Sequence, residues 1–123
     1  MKVGTVFLVL FFCLAAKAEI HPFPDWLTEE KAKIMSFDNF IYLLDKYPKT
    51  YYRIYEITYE KSVDETQDIE RIRTNVIFSD PTCDKRRVTS SFMSPLCNDK
   101  ECFMFIGLTD CMDNLLAEEV IAR

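Results

Sequence analysis

The chain has 123 residues, 15 Lys plus Arg against 20 Asp plus Glu, five Cys, two Gly and one His. That length suits one domain with a modest core of its own. Two glycines are too few for the phosphate-cradling loops of nucleotide enzymes, and one histidine leaves no room for a multi-His metal site or a His-based triad.

Met1-Lys2-Val3, the apolar run from Val6 to Leu14 and the small-x-small sequence Ala16-Lys17-Ala18 read as a secretory leader over residues 1–18. The run is about half of the roughly 20 residues a membrane span needs. Cleavage after Ala18 removes two lysines and no acid, which takes the formal net charge from −5 to −7. A surface of that sign does not attract nucleic acid or anionic lipid, and neither is expected as a partner. Cleavage also removes Cys13 and leaves Cys83, Cys97, Cys102 and Cys111. An even number in a secreted chain predicts two disulfides. Three pairings are open; the sequential one, Cys83–Cys97 with Cys102–Cys111, closes two short loops and is preferred. No C-x-x-C pair is present and His21 is remote in sequence, so no metal is expected, nor any cofactor.

After a loosely held extended arm at residues 19–28, Thr28-Glu29-Glu30 is a helix start. Apolar residues at Ile34, Phe37, Phe40 or Ile41, Leu44 and Tyr47 predict a helix from Glu29 to Tyr47, stopped by Pro48. Tyr51 to Lys61 is rich in aromatic and β-branched residues and predicts a strand. A polar loop follows at Ser62 to Asp68, then a strand from Ile69 to Ser79 with Ile72, Thr74, Val76 and Phe78 on one face. Shorter strands are predicted at Val88 to Met93 and Glu101 to Ile106, with Gly107 as the turn before Cys111. The tail, residues 113–123, reads as a short helix with Leu115, Leu116, Val120 and Ile121 on one side. One long helix on four or five antiparallel strands is an α+β fold, with the domain proper at residues 29–112.

Tyr52-Arg53-Ile54-Tyr55-Glu56-Ile57, the segment from Arg73 to Cys83, and Lys100-Glu101-Cys102-Phe103 resemble strands of the secreted cystatin superfamily, the first of them most closely the cathelin branch. The resemblance covers roughly Ile34 to Cys111. It implies a helix wrapped by an antiparallel sheet, the same sequential disulfides, and a three-part wedge that enters papain-like cysteine proteases. The wedge residues are missing. No glycine stands near the start of the mature chain, Glu65-Thr66-Gln67-Asp68-Ile69 replaces the Gln-x-Val-x-Gly hairpin, and no Pro-Trp pair lies between Cys102 and Cys111. A tight turn needs a residue that tolerates positive φ, and an apolar cleft needs an apolar tip, so this acidic, glycine-free loop is expected to fail both requirements. Trp26 lies N-terminal to the helix and is not expected to replace the Pro-Trp turn. The acidic tail also argues against the cationic peptide that follows a cathelin domain.

No enzymatic activity is expected: the thiols should be oxidised, and adjacent carboxylates such as Glu29-Glu30 point apart. The expectation is a secreted monomer that binds an extracellular protein, a protease among the options, without papain-type inhibition. The candidate binding loops are Trp26, Glu65, Thr66, Gln67, Asp68, Ile69, Gly107 and Leu108. A cysteine-protease inhibitor with altered loops and a carrier of a small apolar ligand are the alternatives.

Overall fold

The structure, a computed structural model, describes residues 20–46 and 52–123. The leader, Glu19, the expected helix end at Tyr47, Pro48 and the strand start at Tyr51 lie outside them. Helix α1 spans Glu29–Leu44. Thr28 caps it in an extended conformation, its hydroxyl accepting the Lys31 amide at 3.1 Å, and Glu29 and Glu30 occupy the positive first turn.

The buried side of the helix keeps Phe40 and Leu44 of the expected stripe but not Ile34 and Phe37. Ala32, Met35, Ser36, Asn39, Phe40, Leu43 and Leu44 are buried, whereas Ile34 is 50% and Phe37 39% exposed. Hydropathy misplaces the face because the interface uses small and polar residues. The Asn39 amide donates to Ser90 Oγ at 2.9 Å and contacts Met104 Sδ at 3.2 Å, while its carbonyl accepts from Arg123 Nε at 2.6 Å. Phe40, fully buried, meets Tyr52 and Phe78 edge to face at centroid distances of 5.0 and 4.9 Å.

Five strands follow: β1 (Arg53–Asp64), β2 (Ile69–Asp80), β3 (Cys83–Cys97), β4 (Cys102–Thr109) and β5 (Leu115–Ala122). Each pairs antiparallel with the next, so the sheet order is the chain order. In β2 the expected alternation is present: Ile72, Thr74, Val76 and Phe78 are buried beneath the helix. Successive partners Val76, Val88 and Leu108 continue that layer across the sheet, and all three are fully buried. β3 is longer than expected, and Pro95 is accommodated where the β3–β4 register shifts between Phe92 and Cys97.

The expected C-terminal helix is instead strand β5. Pairing with the open edge of β4 satisfies that strand's outer backbone groups, which an isolated short helix could not do. Exposure in β5 alternates, with Ala117, Glu119 and Ile121 turned inward. The residue 113–123 segment is therefore part of the domain. Gly107, expected in a turn, lies within β4 without a positive φ, and a Cβ there would meet Leu115 Cδ1 at 2.8 Å.

The fold contains two disulfides, but not the sequential pair. Cys83 bonds Cys111 and Cys97 bonds Cys102, with Cα separations of 5.7 and 4.0 Å. Strand geometry explains the correction. Cys83 and Cys97 begin and end one 15-residue strand, so they stand about 45 Å apart at about 3.3 Å per residue, beyond any disulfide. Cys97 and Cys102 are direct cross-strand partners across the β3–β4 turn.

Candidate functional site

Alternating strand direction places the β1–β2 turn (residues 65–68) and the β3–β4 turn (residues 98–101) at one end of the sheet. The N-terminal arm joins them. His21 forms a parallel bridge with Ile69, its amide donating to the Asp68 carbonyl at 2.8 Å. The Ser94 hydroxyl donates to the His21 carbonyl at 2.6 Å and accepts the Glu70 amide at 2.9 Å. The Phe23 amide donates to Glu70 Oε1 at 2.9 Å, and Phe23 and Leu27 enter the core. The arm, expected to be loose, is pinned by these contacts because its apolar side chains fill the end of the helix–sheet interface.

Trp26 does not enter the Cys102–Cys111 segment, which is mostly strand β4. Its indole donates to the Asn98 carbonyl at 2.8 Å and so stands beside the β3–β4 turn, reached from the opposite end of the sequence. That turn is built by Asn98, whose side-chain oxygen accepts the amides of Lys100 and Glu101 at 2.8 and 3.0 Å; the Cys97–Cys102 disulfide closes its base. Asn98-Asp99 between two closely spaced cysteines is the signal in the sequence that marks this turn.

Glu65, Thr66 and Gln67 form the exposed tip of the β1–β2 turn, and Ile69 is buried behind it. Asp64 organises the tip, its carboxylate accepting the amides of Thr66 and Gln67 and the Arg71 guanidinium at 3.1 to 3.3 Å. Partial burial works upward on this carboxyl, but Arg71 and the two amides prevail and hold it below the ordinary aspartate value. Asp68 closes the turn at φ 55°, so the expected need for glycine is met by an aspartate. The other two candidate residues are elsewhere: Gly107 and Leu108 are buried within β4, Leu108 in the core.

The edge thus gathers Trp26, Glu65, Thr66, Gln67, Asp68 and Ile69 with Asn98 to Glu101. Its exposed tips are polar, with Asp25, Glu65 and Asp99 facing solvent and Lys100 as an exposed base among them. No group of three or more His, Cys, Asp or Glu side chains among the described residues is arranged to hold a metal ion. No protein-family model, curated protein or solved structure matches the chain.

Proposed function

We propose that this chain is a secreted, non-enzymatic protein of cystatin type that binds an extracellular protein through the edge formed by its N-terminal arm and the β1–β2 and β3–β4 turns. The observation that supports this reading is the convergence of three separate segments, each fixed by its own hydrogen bonds, on one end of a single helix–sheet scaffold. Preorganised turns lose little conformational entropy on association, which favours recognition at such an edge. The proposal rests on the scaffold and this edge, since the disulfide pairing departs from the one the resemblance implies.

The polar tips argue against papain-type inhibition. Inserting Glu65 and Gln67 into an apolar cleft would bury a charge and an amide without partners, a cost of several kcal/mol by the usual transfer estimates of about 2–7 kcal/mol per polar group. The second reading, inhibition through altered loops, is favoured by Trp26, which supplies an aromatic side chain beside the β3–β4 turn. Titration of the mature protein against papain and cathepsins B and L distinguishes the two, with no tight inhibition expected. Tight inhibition lost in Trp26→Ala would establish the second reading. For the binding reading itself, capture from the fluid that receives the protein should retain a partner on the wild type and lose it with Glu65→Lys plus Asp99→Lys. Retention of the same partner by that double variant would move the interface away from this edge. The carrier alternative loses its support, because the aromatic residues that suggested it pack on one another around Phe40.

A further inference from the structure

The two disulfides stand in opposite surroundings. Cys97 and Cys102 are buried, at 9% and 0% exposure, whereas Cys83 is half-buried and Cys111 exposed at the other end of the sheet. Cys111 also lines two separate concavities. One, of about 390 Å³, is bordered by Ile77, Lys85, Arg87 and Asp113; the other, of about 330 Å³, by Thr82, Asp110, Met112 and Leu116. Arg86 pairs with Asp80 and Arg87 with Asp113, and the remaining charged lining residues, Lys85 and Asp110, are of opposite sign, so the charges nearly cancel and access governs what reaches the sulfur.

We propose that Cys111 is an S-thiolation site for low-molecular-weight thiols. Exchange needs a thiolate to approach one sulfur along the axis of the disulfide bond, and the open space is at Cys111. The incoming thiolate sulfur bonds to Cys111 Sγ, the Cys83–Cys111 bond breaks, and Cys83 leaves with the electron pair as a thiolate. A second thiol reverses the attachment: it attacks the mixed disulfide, releases the oxidised thiol dimer and leaves Cys111 reduced, the two thiols having supplied both electrons.

The domain is built to survive this opening. Asp80 accepts the amides of Thr82 and Cys83 at 2.9 and 3.2 Å and pairs with Arg86 at 2.6 Å, which holds the β2–β3 turn. Asp110 accepts the amides of Met112 and Asn114 at 2.8 and 2.9 Å, and Arg87 pairs with Asp113, which hold the β4–β5 connection. Exchange is therefore local to the β4–β5 connection.

The test treats the oxidised mature protein with glutathione, quenches by alkylation and maps the peptides by mass. The expected result is glutathione on Cys111, alkyl label on Cys83 and an intact Cys97–Cys102 bond. That second bond should open more than about tenfold more slowly, since it must wait for local unfolding. Far-ultraviolet circular dichroism should be unchanged. Glutathione on Cys83, equal rates at the two disulfides, or loss of the sheet signal on opening would each overturn the proposal. The Cys83→Ala, Cys111→Ala double variant should take up no glutathione under the same conditions, and uptake by it would place the reaction at the other bond.

Discussion

Asp68 sits at φ 55° where a glycine would be the unstrained choice, yet its carbonyl still receives the His21 amide. Aspartate is among the few residues that enter this region at tolerable cost, and the carbonyl needs no particular side chain. Asp68→Gly should keep the turn and raise stability by about 0.5–1 kcal/mol, the strain relieved exceeding the entropy added to the unfolded chain. Urea denaturation would measure it, and a loss of stability would mean that the Asp68 carboxylate makes a contribution beyond its backbone. The same residue marks a limit of sequence reading. Looking for glycine at a turn overlooks aspartate in the left-handed region, and Gly107, the one glycine after the leader, went to a strand where its missing Cβ leaves room for Leu115.

At the level of elements, helix α1 was legible from its cap and acidic first turn, which are local signals. Its buried face was not, because Ser36 and Asn39 take core positions that hydropathy assigns to water. Thr28→Ala removes the hydroxyl that accepts the Lys31 amide and should cost about 1 kcal/mol, read as a lowered denaturation midpoint. Strand β5 is hidden in the sequence because Leu115, Leu116, Val120 and Ile121 follow helical spacing and fall on both faces of a strand, three of them exposed; the open edge of β4 decides for the strand. β5 is tied to the helix by Glu119, which accepts from Tyr42 Oη at 2.8 Å and Lys46 Nζ at 2.7 Å. Hydrogen bonds from Lys46 and then Tyr42 hold the Glu119 carboxyl below its ordinary value, and a hydrogen bond to Glu119 holds Lys46 above its own. The backbone amide of Asn114 does the same to Asp110. A depressed carboxylate stabilises the fold above its unfolded pKa, near 4, and that stabilisation is lost as pH falls through the folded value. The raised lysine acts at the other end, its contribution lost as pH rises above about 10.4. Stability measured against pH should therefore fall below about pH 4, and Glu119→Gln should flatten both limbs.

For the whole molecule, the α+β class and the order of helix α1 and strands β1 to β4 were readable because every strand pairs with its neighbour in sequence, so local patterns already contain most of the topology. The disulfides were not readable, since cysteine spacing says nothing of which strand end each residue reaches. Mass mapping of the oxidised protein should find Cys83–Cys111 and Cys97–Cys102. The longer crosslink spans 28 residues of sequence and the shorter one 5. On the chain-entropy estimate, removing them as paired Ser variants should cost about 3.5 and about 2 kcal/mol respectively. The more exposed bond is thus expected to matter more to equilibrium stability, and calorimetry on the two variants would check the order. Most of the candidate edge was legible through the β1–β2 turn and Trp26. The rest depended on a register that joins residues 72 positions apart.

The nesting of one disulfide inside the other bears on how the chain is made. Synthesis proceeds from the N-terminus, and elements close as their partners emerge. Cys97 and Cys102 leave the ribosome almost together and belong to one hairpin, so their bond can form as soon as that hairpin does. Cys83 appears earlier yet has to wait as a thiol until Cys111 arrives. The rigid strand that separates Cys83 from Cys97 keeps the two apart once β3 is extended. The sheet is then its own guard against mispairing, and oxidation of the outer bond marks the pairing of β4 along β3, before the last strand has emerged.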